Sequence, residues 1–206
     1  MKDCRWLWKK RFSIKKMKPD LPDGQYYKFL DFPQLPAELE QLCIDAVRDE
    51  KNLLFSLVHT INTKPVKLLY HGNLVERKQC AFRVFKCPEL VEHWLREHNI
   101  LTEGNHRVGI QQSIDGNCLL PHVDSGPNFR NPVLEKIEAN NYRNKAVNYL
   151  LTDPGPVTCF YNSQRIDDIA ESVVVPKSYW HLIATDKLHG VEHVTTERIS
   201  VTISLY

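Results

Sequence analysis

A chain of 206 residues that is 42% hydrophobic and 25% charged has the composition of one folded domain, large enough to bury a core without disulfide or structural-metal staples. Disorder and fibrous repeats are excluded on those grounds, and no run approaches the roughly 18 uncharged apolar residues that a membrane-spanning helix needs. The net charge of +2 is unevenly placed, because residues 1–18 hold eight Lys/Arg and one Asp, a net +7 that leaves −5 for the rest.

That basic arm is interleaved with Trp6, Trp8 and Phe12. It reads either as a flexible solvated tail or as a segment that meets phosphates and stacks on bases, or sits at an anionic membrane surface. A start at Met17 would remove most of it. Residues 19–206 are expected to form a single domain. The six cysteines show no C-x-x-C spacing, and no apolar signal core precedes them. Reduced thiols in an intracellular, cytoplasmic protein are therefore expected.

After the arm, Pro36 is followed by Ala37, Leu39, Leu42, Cys43 and Ala46, an apolar stripe at helical spacing with proline near the first turn. Residues 88–98 repeat the arrangement, with Pro88 ahead of Leu90, Val91, Trp94 and Leu95. Both segments predict helices. Between them, Leu53–Val58, Val66–Tyr70 and Cys80–Phe85 read as strands. From Arg107 onward, short β-rich runs alternate with turn residues. Val108–Ile114 and Cys118–Val123 flank Asp115-Gly116-Asn117, a hairpin signal. Ala146–Thr152 and Val157–Tyr161 flank Asp153-Pro154-Gly155-Pro156, and Ser172–Val175, Tyr179–Ala184 and Arg198–Leu205 complete six or seven strands. The expected fold class is α+β, mainly β: a double-stranded β-helix (jelly roll) at about 105–206, buttressed by N-terminal helices.

His122-Val123-Asp124 can place an imidazole and a carboxylate on one face of a strand, because side chains two residues apart point the same way. Alone, the pair is a common coincidence. A facial triad needs a third ligand from elsewhere and leaves three adjacent positions open. His189 is the candidate, nine residues before Arg198; His193 is its rival at five. The segment Arg198-Ile199-Ser200-Val201-Thr202-Ile203-Ser204-Leu205 alternates strictly between polar and apolar. Arg198 and Ser200 therefore share a face, and a guanidinium with a nearby hydroxyl suits a carboxylate. The plainer reading pairs Arg198 with Glu192 or Glu197 at the surface. His181 and His106 read as ordinary hydrogen-bonded histidines, Trp180 and Tyr161 as core aromatics, and Cys118 and Cys159 as packing residues. The loop Ser125–Pro132 is placed to close over the site.

His122-x-Asp124, His189 and Arg198-x-Ser200, in that order and spacing, resemble the Fe(II)/2-oxoglutarate-dependent dioxygenase superfamily, and His189-Gly190-Val191 is similar to its prolyl-hydroxylase-like members. The resemblance, which extends to aspartyl/asparaginyl hydroxylase-like members, covers roughly residues 105–206. It implies Fe(II) on His122, Asp124 and His189, with 2-oxoglutarate chelating the metal and its far carboxylate on Arg198 and Ser200. O2 is the oxidant, succinate and CO2 are co-products, and ascorbate is a candidate reductant. It also implies a pocket contact from Asn148-Tyr149; alternation admits only one of the two, and Tyr149 is the preferred one. A peptide, protein residue or amino acid is the implied substrate. The basic arm instead favours a modified nucleobase. Two other readings keep the jelly roll: a metal-dependent cupin-like enzyme, which has no need of Arg198-x-Ser200, and a non-catalytic binding protein.

Overall fold

Two proline-led apolar stripes become two helices, α1 (Ala37–Ala46) and α2 (Glu89–Glu97). The carbonyl of Pro36 accepts from the amides of Leu39 and Glu40, and that of Pro88 from Val91 and Glu92. Each proline thus lies where an amide hydrogen would have had no helical partner. Acidic side chains in both first turns suit the positive end of the helix dipole. At the far end of α2, Asn99 takes a left-handed φ of 56° and the Ile100 amide closes back on the Leu95 carbonyl, stopping the helix.

The computed structural model describes residues 20–56, 65–101, 106–124, 145–152, 157–194 and 196–205. The basic arm, the Asp153–Pro156 turn and the loop Ser125–Pro132 lie outside them. The strands are β1 (Tyr27–Phe29), β2 (Leu53–Ser56), β3 (Val66–Tyr70), β4 (Asn73–Arg77), β5 (Ala81–Lys86), β6 (His106–Ile114), β7 (Leu119–His122), β8 (Lys145–Leu150), β9 (Val157–Tyr161), β10 (Ile169–Val174), β11 (Trp180–Ala184), β12 (His189–Glu192) and β13 (Arg198–Leu205). They build a seven-stranded antiparallel sheet in the order β1-β11-β8-β13-β6-β5-β2 and a four-stranded one in the order β10-β9-β12-β7, with β3-β4 as a separate hairpin. Among the described residues eight strands follow α2, against the six or seven expected. From β6 to β9 the chain switches sheet at every connection, the path of a jelly-roll-like β-sandwich.

That path corrects the expected hairpin at Asp115-Gly116-Asn117. β6 lies in the larger sheet between β13 and β5, whereas β7 pairs with β12 in the smaller one. The turn is a corner between sheets. Asp115 supplies a left-handed φ of 60°, and a Cβ on Gly116 would overlap the Cys80 backbone. Asn117 completes the clamp: its side-chain oxygen accepts from the Lys78 amide and its own amide donates to the Lys78 carbonyl, both at 2.8 Å. An Asp-Gly pair fixes turn chemistry; it does not choose the partner strand.

The larger sheet has two unlike faces. Towards the helices it presents Phe85, Ile110, Tyr149, Trp180, Ile199, Val201 and Ile203, which pack with Val91 and Leu95 of α2 into the main core. Towards the smaller sheet, Ala146, Leu150 and Ile183 meet Phe160, Val173 and Val175. Arg198, Ser200, Thr202 and Ser204 also occupy this second face, and all four are buried. The polar side of β13 therefore faces the other sheet and not water.

Candidate metal centre

β7 ends at His122 and β12 begins at His189, and antiparallel pairing sets these two residues directly opposite each other. Asp124 follows two residues after His122, its amide held by the Thr185 carbonyl at 2.9 Å. One ligand atom from each of the three lies within 4.8 Å of the others. The Nε2 atoms of His122 and His189 stand 3.5 and 3.9 Å from the two Asp124 oxygens. The imidazole centroids are 4.6 Å apart.

Both rings are held in the same tautomer. His122 Nδ1 lies 2.7 Å from the Leu120 carbonyl and His189 Nδ1 2.8 Å from the Lys187 carbonyl. A carbonyl only accepts, so each Nδ1 carries a hydrogen and each Nε2 is turned towards Asp124. This is how proteins orient metal-binding histidines. Gly190 lets the two strands approach, since a Cβ there would overlap the Leu119 carbonyl oxygen. The His189 side chain is 7% exposed and that of His122 37%, so the cluster is closed on one side and accessible on the other. Two imidazoles and one carboxylate brought to one point are a donor set that could hold a metal ion and leave further positions open.

Arg198 opens β13 opposite Ser113 of β6, buried on the inter-sheet face with Ser200. Neither expected surface partner reaches it. Glu192 pairs with Arg77 at 2.8 Å, anchoring the β3-β4 hairpin to β12, and Glu197 bonds to Arg48 and Gln112. Among the described residues no carboxylate pairs with Arg198, and burial pushes its pKa down to about 10. The hydroxyls of Ser113 and Ser200 are likewise buried without a hydrogen-bond partner.

Of the sequence-predicted residues, His122, Asp124 and His189 come together. Tyr149 does not join the pocket. It is the register partner of Val201, on the helix side, where its hydroxyl donates to Glu40 at 2.6 Å and accepts from the Leu35 amide at 3.2 Å. Asn148 takes the inward position instead and accepts a hydrogen bond from Thr202 at 2.7 Å. His193 is exposed, with a left-handed φ of 59°, and stands outside the metal cluster. Trp180 is core, its indole N–H donating to the Pro33 carbonyl at 2.9 Å. Cys118 and Cys159 are buried free thiols. His181, read as an ordinary histidine, is fully buried, and burial pushes its pKa down to about 3. Its neighbours Tyr179, Trp180, Leu182 and Ile183 are apolar or aromatic, and nothing in that run flags it.

No family model matches this chain, and no curated protein does. Solved structures do. A prolyl-4-hydroxylase from Pseudomonas putida is 16% identical, with a TM-score of 0.50 over 88% of this chain and 92% of that one. A Trichoplax adhaerens prolyl hydroxylase, solved with a peptide fragment of the hypoxia-inducible-factor oxygen degradation domain, is 12% identical with a TM-score of 0.50, covering 89% and 84%. The chain shares the fold of the prolyl hydroxylases. Among the described residues no helix is long and apolar enough to cross a membrane.

Proposed function

We propose that this protein is an Fe(II)- and 2-oxoglutarate-dependent oxygenase with a double-stranded β-helix core, hydroxylating a C–H bond in a peptide, protein residue or amino acid. One observation carries the reading: a buried arginine of the larger sheet, with no carboxylate partner among the described residues, faces the smaller sheet, whose strands β7 and β12 carry the histidines of a His-Asp-His cluster. A buried unpaired cation is costly, and a carboxylate ligand offsets that cost with charge-assisted hydrogen bonds.

His122 Nε2, an Asp124 oxygen and His189 Nε2 would hold the metal. Arg198 would orient the co-substrate by its far carboxylate, with the Ser200 hydroxyl as a further donor. Bound Fe(II) and 2-oxoglutarate together supply the chemistry that inserts oxygen from O2 into a C–H bond, leaving succinate and CO2. The protein's own part is to fix the tautomer of two histidines, keep the carboxylate pocket dry, and leave the His122 side open to substrate. A peptide substrate is supported by the fold shared with the peptide-bound Trichoplax enzyme.

Purified protein given Fe(II), ascorbate and 2-oxoglutarate should release succinate, and Asp124→Ala should abolish it. Calorimetry that detects neither metal nor 2-oxoglutarate binding would refute the proposal.

A further inference from the structure

Where β13 pairs with β6, Val201 stands opposite Ile110, and both belong to the helix-side core. The next pair, Ser200 with Gln111, therefore points between the sheets, and so does the pair two residues on from it along each strand, Arg198 with Ser113. Residues directly opposite in an antiparallel pair hold their Cβ atoms about 4.5–5.5 Å apart, which makes Ser113 a side-chain neighbour of Arg198. On its other flank Ser113 pairs with Phe82 of β5. The residue is 1% exposed, and its hydroxyl has no hydrogen-bond partner. Neither flanking side chain can take its hydrogen, because a phenyl ring has no lone pair and a guanidinium only donates. Ser200, the diagonal neighbour of Ser113, is buried in the same state. Further along β13 the pattern ends, since Thr202 donates to Asn148 at 2.7 Å. On this strand pair the unmet hydrogen bonds are thus grouped around Arg198. Buried polar groups left so are destabilising unless something else binds them.

We propose that Ser113 is a binding residue for the far carboxylate of the co-substrate, completing the donor set begun by Arg198 and Ser200. An ionised carboxylate offers about four lone-pair directions. The Arg198 guanidinium fills two of them with parallel N–H groups, one to each oxygen, and the Ser113 and Ser200 hydroxyls fill the others. Each buried hydroxyl then has an acceptor, and the guanidinium has a counter-charge. Ser200 shares a strand with Arg198, whereas Ser113 comes from β6, so the carboxylate is held across the seam between two strands. The pair of hydroxyls makes the site specific. A tail with one acceptor oxygen, or with an amide NH2 in place of the second, leaves a buried hydroxyl unpaired again, and sites built on buried donors discriminate strongly against such analogues.

This inference rests on the 2-oxoglutarate reading, and its test separates the two. With the full chain loaded with Mn(II), calorimetric titration of 2-oxoglutarate should show binding about tenfold or more weaker in S113A than in wild type. Manganese affinity should be the same in both proteins. The loss should be absent with 2-oxopentanoate, which has the same carbon chain without the far carboxylate. Without ligand, S113A should melt at the wild-type temperature or above it, because the hydroxyl it removes has no partner in the fold. Equal 2-oxoglutarate affinity in the two proteins, the result if water alone satisfies the hydroxyl, overturns the role of Ser113 and leaves the oxygenase reading standing. A loss of the same factor for both ligands overturns it too, as does an S113A protein that fails to fold or melts well below wild type, since either makes Ser113 a structural residue. No 2-oxoglutarate binding by wild type overturns both readings.

Discussion

The two faces of the larger sheet are built from the same strands, yet they treat polar atoms in opposite ways. On the helix side the polar tips are satisfied: Trp180 donates to Pro33, and Tyr149 bridges Glu40 and Leu35. On the inter-sheet side the Ser113 and Ser200 hydroxyls are buried without a hydrogen-bond partner, and among the described residues no carboxylate pairs with the buried Arg198. A fold selected only for stability would satisfy both faces, since an unpaired buried polar group costs about 1–3 kcal/mol. The difference separates the face that holds the protein together from the face that holds something else.

Substitutions on opposite faces should therefore fail in opposite ways. Arg198→Met carries the largest expected effect, a loss of 2-oxoglutarate affinity on the order of 10²–10³-fold, with a melting temperature unchanged or higher because a buried unpaired charge has gone. A large drop in melting temperature with binding intact would break the comparison. Ile203→Ala, on the helix side of the same strand, should lower stability by about 3 kcal/mol in denaturant titrations and leave the 2-oxoglutarate Kd of the folded protein where it was.

Acid sharpens the contrast. The His181 pKa lies near 3 in the fold and about 6.5 when unfolded. Between those values the unfolded chain binds a proton that the folded chain refuses, so stability is full above about pH 6.5 and falls as pH is lowered towards 3, by on the order of 1 kcal/mol per pH unit. Denaturation midpoints measured from pH 7.5 to pH 5 should show this slope, and H181Q should flatten it. Tyr149→Phe is the smallest change expected: about 1 kcal/mol from the lost hydroxyl bonds, and a 2-oxoglutarate Kd within error of wild type. A weakened Kd there would return Tyr149 to the pocket.

Much of this could be read from the residues themselves. The proline-led stripes gave both helices to within a residue or two at each end, because a period of 3.6 is a local property. Val66–Tyr70 and Arg198–Leu205 coincide with β3 and β13. The strands β1, β4 and β12 went unread: β1 has three residues, and Asn73–Arg77 and His189–Glu192 hold only two and one aliphatic side chains. His181 left no mark at all, since a histidine in an apolar run looks the same whether its ring meets water or the core.

Local chain geometry, legible in the residues alone, already required that Arg198 and Ser200 point the same way, that His122 and Asp124 can meet at one point, and that only one of Asn148 and Tyr149 can face inward. Tertiary structure decided the rest. It placed Asn148 rather than Tyr149 on the inner face, sent Asp115-Gly116-Asn117 around a corner between sheets, and set His189 opposite His122. It also buried the polar side of β13 against a second sheet. A two-residue period says which side chains share a face, but whether that face meets water or another sheet depends on strands far away in the chain.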